Sequence, residues 1–162
     1  MKLLILGYGR HGKDTLAEIF RDQFGMTFCS TSLAVSEIVI FPSLKHKYNY
    51  NTPEECYEDR SNHRQEWYNL ISNYTSKDPS RLCRDIIKEN DCYVGLRSKR
   101  ELEASRYIFD LIIFVDAQDR CPIESKESCT ITPDDADIII TNNGTLDQFQ
   151  NKAVNLGKIL FR

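Results

Sequence analysis

Residues 1–15, MKLLILGYGRHGKDT, decide the fold of this chain. The apolar run Met1–Leu6 has the length of a buried strand, and apolar residues recur at helical spacing over Lys13–Phe24. The turn between them contains three glycines, Gly7, Gly9 and Gly12. Glycine adopts backbone conformations that a side chain would block. The stretch therefore predicts a strand, a glycine-rich turn and a helix that stops at Gly25.

The turn matches the phosphate-binding P-loop pattern GxxxxGK over residues 7–13. In that pattern, backbone N–H groups and the helix N-terminus face an anion, and the lysine reaches the outer phosphates of a nucleoside triphosphate. We expect Lys13 to face solvent until phosphate arrives, and His11 to lie at the surface. The predicted nucleotide-binding residues of the turn are Gly7, Gly9, Arg10, His11, Gly12, Lys13, Asp14 and Thr15.

The metal ligand of this pattern is normally a Ser or Thr after the lysine, but here that residue is Asp14. Thr15 can supply the hydroxyl one position late, or Asp14 can hold the hydration shell of magnesium or orient a substrate. Asp116 directly follows the apolar run Leu111–Val115 and is a third candidate, unless it caps the next turn. We expect ATP with Mg²⁺ as the phosphoryl donor.

Length and composition set limits on the class of protein. The chain has 162 residues, of which 41% are hydrophobic and 28% charged, as expected for one globular domain. A net charge of −3 gives no reason to expect nucleic-acid binding, and no apolar segment is long enough to span a membrane. The six cysteines lack CxxC spacing and are expected to be reduced thiols. We predict a cytoplasmic protein and leave a homodimer open.

Strands and helices alternate along the chain, which predicts a parallel five-stranded sheet flanked by helices. The predicted strands are Met1–Leu6, Met26–Ser30, Cys92–Leu96, Leu111–Val115 and Asp137–Ile140. The predicted helices are Lys13–Phe24, one from Ser30–Ser32 toward Pro42, Asn62–Tyr74, Arg81–Glu89, Lys99–Tyr107 and Leu146–Leu160. Residues 45–53 are expected to form a loop, and residues 118–133 a loop or a small lid.

Ligands of open parallel sheets bind at the carboxyl ends of the strands, where Ser30 and Arg97 are expected. Arg97 can bind an acceptor phosphate, or it can pair with Glu101 one helical turn later. Arg60 and Arg64 are spaced to share one helical face, which can grip the same phosphate or be a solvated basic surface.

Three segments resemble the P-loop nucleoside monophosphate kinases, and most closely those of bacteriophages that act on deoxynucleotides. Residues 7–15, GYGRHGKDT, are similar to the GxxxSGKDT loop of that family. Residues 92–101 are similar to its third-strand pattern, D-x-R-x-x-x-E, although Gly95 replaces the aspartate. Residues 136–146 are similar to a closing pattern, D-x-x-I-x-N-x-G-S/T-L, shared with dephospho-coenzyme A kinases.

The resemblance implies an α/β fold of the P-loop NTPase class, adenylate-kinase-like, with one domain over residues 1–162. Residues 31–90 would form an acceptor-binding helical segment, and residues 118–133 the lid. The implied catalytic residues are Lys13, Asp14, Arg97 and Arg120, with Arg120 in the lid. The implied acceptor-binding residues are Ser30, Arg60, Arg64 and Arg97, and Asn143 and Gly144 would lie near the donor base. The candidate metal ligands remain Asp14, Thr15 and Asp116.

The activity implied is ATP-dependent phosphoryl transfer to a nucleoside or deoxynucleoside monophosphate, giving the diphosphate. The partners are then the triphosphate donor and the monophosphate acceptor. Two alternatives remain open from the sequence. One is a kinase similar to dephospho-coenzyme A kinase, favoured by the closing pattern. The other is a regulatory protein that binds nucleotides but has lost transfer, favoured by Gly95 and the short lid.

Overall fold

Strand β1 (Leu3–Leu6) lies inside a parallel sheet in the computed structural model, which describes residues 1–162. The other strands are β2 (Cys92–Val94), β3 (Leu111–Asp116) and β4 (Ile138–Thr141). The sheet order is β2-β1-β3-β4, and every neighbouring pair is parallel. All four side chains of β1 are fully buried, because helices cover both faces of the sheet.

The helices form a layer on each face of the sheet. One layer consists of α1 (Lys13–Phe24) and α8 (Leu146–Leu160). The other contains α2 (Thr31–Val35), a π-helical segment (Ser36–Ile40), α3 (Phe41–Tyr48), α4 (Pro53–Glu58), α5 (Arg64–Thr75), α6 (Arg81–Glu89) and α7 (Lys99–Ser105). Three short 3-10 turns complete the chain, at Asp59–Asn62, Arg106–Ile108 and Pro133–Asp135.

Alternate side chains of β1 pack into two separate apolar clusters, one on each face of the sheet. Leu3 and Ile5 pack in the cluster that contains Phe20 of α1. Leu4 and Leu6 pack in the larger cluster on the opposite face. Successive side chains of a strand point to opposite faces, so a strand with a layer on each side is apolar throughout. The fold is thus a mixed α/β structure in which a parallel four-stranded sheet is flanked by helices.

The predicted five-stranded sheet is wrong by one strand. Residues 26–30 form only a single parallel bridge, between Phe28 and Cys92 at the edge of β2. The Thr27 carbonyl accepts the N–H groups of both Asp91 and Cys92. At Thr31 the chain turns into α2, so it leaves the sheet after one residue pair. Propensity alone could not show how early this segment turns away.

The predicted loop at residues 45–53 is also partly wrong, because α3 continues to Tyr48 and α4 begins at Pro53. Pro42 lies in the first turn of α3, which follows the π-helical segment Ser36–Ile40 without a break. In that π-helical segment, the hydrogen bonds join residues five apart and not four apart as in an α-helix. Helical backbone therefore runs continuously from Thr31 to Tyr48, and Pro42 does not end it. None of the helices combines the length and apolar character needed to cross a membrane.

Asp91 holds the edge segment to the sheet, since its carboxylate accepts the amide of Thr27 at 3.0 Å and the Thr27 hydroxyl at 2.8 Å. These bonds lower the pKa of Asp91 below its ordinary value, against the opposing effect of partial burial. The pKa is therefore lower in the folded than in the unfolded chain. The resulting stabilisation is complete above the unfolded pKa and is lost as the pH falls through the folded pKa.

We expect Asp91→Asn to lower the free energy of unfolding by about 1 kcal/mol at neutral pH, measured in urea. The difference from the wild type should shrink below a pH of about 4, where the native carboxylate itself becomes protonated. Asp22→Asn is the control, because Asp22 pairs only with its exposed neighbour Arg21 and should show no measurable change. A constant difference at all pH values would contradict this role of the Asp91 charge.

Candidate functional site

The loop between β1 and α1 passes unusually close to the ends of β3 and β4. Gly7 has a φ of 147° and Gly12 a φ of 103°. A Cβ atom at Gly7 would lie 2.7 Å from the Val115 carbonyl oxygen, and one at Gly12 would lie 2.6 Å from the Asn142 amide nitrogen. Both positions therefore require glycine, for its backbone freedom and for its lack of a side chain.

His11 anchors this loop from inside, so its predicted surface position is wrong. Its side chain is fully buried, and Nδ1 accepts the N–H of Ala117 at 2.9 Å. The His11 carbonyl accepts a hydrogen bond from the Asn142 side chain, also at 2.9 Å. The imidazole packs edge-on against Tyr8, with ring centroids 5.3 Å apart. His11 and Asn142 thus fix the loop to the ends of two strands that lie more than 100 residues away in sequence.

Lys13 does not face solvent as predicted, because its side chain is only 8% exposed. Its ammonium group donates to the Tyr8 carbonyl at 2.8 Å, across the loop. Burial lowers the pKa of Lys13, and the nearby charge of Arg97 adds to the effect. Gly95 faces the same side chain, since a Cβ atom there would lie 3.7 Å from the Lys13 Cε. The lysine is held by the loop itself.

A small polar cavity of about 220 Å³ opens beside this lysine. Its lining residues are Gly9, Arg10, Lys13, Asp14, Ser30, Thr31, Ser32, Val94, Gly95 and Arg97. The structure therefore brings together the loop, Ser30 and Arg97, as the sequence predicts for the carboxyl ends of parallel strands. Thr15 and Asp116 do not line this cavity.

Glu124 is the residue of this site that the sequence did not indicate. Its Oε2 accepts the Gly9 N–H at 2.9 Å, and its Oε1 forms an ion pair with Arg97. Arg97 thus pairs with Glu124 and not with Glu101, the partner considered from sequence spacing. Burial raises the pKa of Glu124, but the hydrogen bond and charge of Arg97, the Gly9 amide and the charge of Lys13 outweigh it, and the pKa is lowered.

A larger cavity of about 740 Å³ adjoins Arg97 on the other side. Its lining residues are Glu58, Arg60, Ser61, Arg64, Trp67, Tyr68, Ile71 and Arg97. Arg60 lies in a 3-10 turn and Arg64 begins α5, so the prediction that they share one helical face is wrong. Both nevertheless line this cavity. Arg97 borders both cavities and so lies between them.

Besides Arg97, two arginines line the larger cavity, and they differ in their contacts. Arg60 stacks on the ring of Tyr57 at 4.0 Å and donates to the Tyr57 carbonyl at 3.0 Å. The Arg64 side chain is exposed and makes no hydrogen bond or ion pair with the rest of the chain. A guanidinium without a protein partner keeps all its donors available for an anion. Arg64 is therefore the freer of the two cations.

Three further predicted residues have structural contacts at the ends of β3 and β4. Asp116 accepts the N–H of Gln118 at 3.0 Å, so it caps the turn that follows β3. Arg120 donates to the Asn142 carbonyl at 2.6 Å. The Asn143 side chain accepts the N–H of Asp119 at 3.2 Å, while Gly144 lies exposed in the turn before α8. These contacts join the start of segment 118–133 to the turn after β4.

The predicted metal ligands do not form a cluster. No group of three or more His, Cys, Asp or Glu side chains is placed to hold a metal ion. Asp14 is exposed beside the small cavity, and it alone among the three candidates lines that cavity. Magnesium in phosphoryl-transfer sites is held by one or two protein groups together with substrate phosphates, and this arrangement does not require a cluster.

Comparison with protein-family models finds no match to this sequence, and comparison with curated proteins finds no match either. The function of the site is therefore inferred from the geometry of this chain.

The contact between the loop and Asn142 predicts unequal effects for two glycine substitutions at the ends of α1. Gly25 has a φ of 71° and open space around it, so Gly25→Ala adds no steric clash with other residues. It should lower the free energy of unfolding by about 1–2 kcal/mol, because alanine disfavours the left-handed backbone conformation. Gly12→Ala should cost about 1–3 kcal/mol more, because the methyl group displaces Asn142 from the His11 carbonyl. Urea denaturation measures both. Equal costs would show that Asn142 does not pack against the loop.

Proposed function

We propose that this protein is a P-loop phosphotransferase that transfers the γ-phosphoryl group of ATP to a nucleoside or deoxynucleoside monophosphate. One observation carries the proposal: the loop already holds an anionic group, the carboxylate of Glu124, through the Gly9 amide and Arg97. The loop N–H of Gly9 and the cation Arg97, which follows β2, both contact this carboxylate, and such a pair also suits the more highly charged oxygens of a phosphate.

The donor phosphates would bind in the small cavity. The loop residues Gly9, Arg10 and Lys13 line that cavity, and the N-terminus of the 12-residue helix α1 would add its positive dipole end. Lys13 lies in the wall of that cavity, where partial burial strengthens its interaction with an anion. Asp14 is placed to hold the hydration shell of Mg²⁺, which would offset the charge of the phosphates. Arg120 and the turn at Asn143 and Gly144 would border the remainder of the donor.

The acceptor would bind in the larger cavity, whose volume of about 740 Å³ is in the range typical of small-molecule sites. Trp67, Tyr68 and Ile71 provide apolar surface for a base and sugar, while Arg64 provides an unpaired positive charge. Arg97 borders both cavities, so a phosphate bound to it would lie between acceptor and donor. Phosphoryl transfer consists largely of such positioning and charge stabilisation.

A second candidate function is nucleotide binding without transfer. Gly95 favours it, because the residue facing Lys13 across the small cavity carries no carboxylate for a metal ion or an attacking hydroxyl. The two functions differ in one measurable property. A transferase converts a monophosphate to a diphosphate, whereas a binding protein only retains the triphosphate.

Lys13→Met should abolish transfer, with a fall in kcat of at least about a hundredfold, because a charge next to the transferred group is lost. A coupled assay against a panel of nucleoside monophosphates measures it. The methionine keeps the apolar stem that packs on Gly7 and Gly95, so thermal unfolding should remain cooperative. Lys88→Met, an exposed lysine on α6, is the matched control and should leave turnover unchanged. Unchanged turnover in Lys13→Met would exclude the P-loop assignment.

Arg64→Ala should raise the KM for the monophosphate by about tenfold or more, since a charge-assisted contact to its phosphate is lost. The KM for ATP should stay constant, because Arg64 does not border the small cavity. Arg100→Ala is the control: Arg100 is also exposed and unpaired, but it does not line the larger cavity. Equal effects of Arg64→Ala on both substrates would place the acceptor elsewhere.

A further inference from the structure

The Glu124 carboxylate occupies the loop in the manner of a bound anion. Its two oxygens contact different parts of the chain, one the Gly9 amide at 2.9 Å and the other the Arg97 guanidinium. The carboxyl group also covers the glycine backbone, because a Cβ atom at Gly9 would lie 3.6 Å from it. Lys13 is close enough for its charge to help lower the pKa of Glu124. A carboxylate here meets the same donors that a phosphate oxygen would need.

The segment that carries Glu124 is weakly attached to the rest of the protein. Among residues 122–128, the Ser125 carbonyl accepts the N–H of the adjacent Cys129, and all other hydrogen bonds and ion pairs to residues outside the segment come from Glu124. The segment is anchored on either side, by Arg120 to the Asn142 carbonyl and by the Thr130 amide to the Arg97 carbonyl. If the two Glu124 contacts break, these anchors can remain. The segment is therefore built to release Glu124 without unfolding.

We propose that Glu124 is an internal competitor: it takes up the Gly9 N–H and the Arg97 guanidinium, two donors that line the small cavity, until a triphosphate displaces it. The proposal rests on the proposed function, because it takes the loop as the triphosphate site. Glu124 and a phosphate oxygen cannot both accept the Gly9 N–H along the same direction, and they repel each other as like charges. Part of the binding free energy of the triphosphate is then used to open the segment. If only the open state binds the triphosphate, the apparent dissociation constant equals the dissociation constant of the open state divided by the fraction of molecules that are open.

Displacement of Glu124 also frees Arg97, whose guanidinium the ion pair otherwise engages. One event thus opens the donor loop and makes the acceptor cation available. Binding of the triphosphate should therefore raise the affinity for the acceptor, and by linkage the acceptor should raise the affinity for the triphosphate. Glu124 is then a latch whose release couples the two sites.

The latch is tested by calorimetry with the β,γ-imido analogue of ATP and Mg²⁺ on the full chain. Glu124→Gln removes the charge and Glu124→Ala removes the side chain, and both should tighten binding of the analogue by about tenfold. Glu127→Gln is the matched control, since this exposed glutamate of the same segment makes no contact with the loop, and its affinity should equal the wild type. Tighter binding in Glu127→Gln as well would overturn the proposal in favour of a general charge effect.

A second measurement reports the contact without nucleotide. In the free protein, the Gly9 amide should exchange its hydrogen faster in Glu124→Ala than in the wild type, and addition of the analogue should slow it in both. Coupling is measured by titrating a monophosphate acceptor with and without the analogue. The wild type should show an affinity gain that Glu124→Ala lacks.

The outcomes separate the latch from the proposed function. If the wild type and both Glu124 variants bind the analogue equally, or the variants bind it more weakly, the latch is overturned while the loop remains a triphosphate site. If none of the proteins binds the analogue, the proposed function and the competition fail together. Binding that appears only in the Glu124 variants would support both.

Discussion

The close approach of the β1–α1 loop to the ends of β3 and β4 is the constraint on which the site depends. The loop backbone at Gly7 passes the Val115 carbonyl with no room for a side chain, and His11 and Asn142 fix the loop from the opposite side. The loop is thus part of the core and not a mobile connection. Because its backbone is fixed, Gly9 and the buried Lys13 keep defined positions in the lining of the small cavity.

Positive side chains cluster at the candidate site although the protein as a whole carries a net negative charge. The chain is acidic, with a net charge of −3, yet Lys13, Arg97 and Arg64 line two cavities that share Arg97. Without a ligand, such cations repel one another, and the lowered pKa of Lys13 reflects burial together with the charge of Arg97. Glu124 offsets part of this repulsion. Under the proposed function, Glu124 would be an internal anion that stabilises these cations and that the donor phosphates would replace.

The elements predicted most accurately were those with strong local patterns. Helix α1 begins at Lys13 and ends at Phe24 as predicted. Both signals are local: apolar residues recur at helical spacing within the helix, and Gly25, in the left-handed conformation, directly follows its last residue. Helix α8 also has its predicted bounds. A strand was predicted at residues 26–30, but the structure has only one bridge there. The contacts of Asp91 and the turn into α2 determine how many residues of this segment pair with the sheet. No local pattern carries that information.

The sequence by itself determined a glycine-rich turn between a buried strand and a helix, a parallel sheet, and the placement of cations at the strand ends. Local propensity and apolar period suffice for these features, because they act over one or two turns of chain. Only the tertiary structure decided the partners of the individual side chains. Glu124 meets Gly9 across 115 positions, and His11 meets Ala117 across 106. Such pairings depend on how distant segments pack, and packing also buried His11 and Lys13, which the sequence had suggested were exposed.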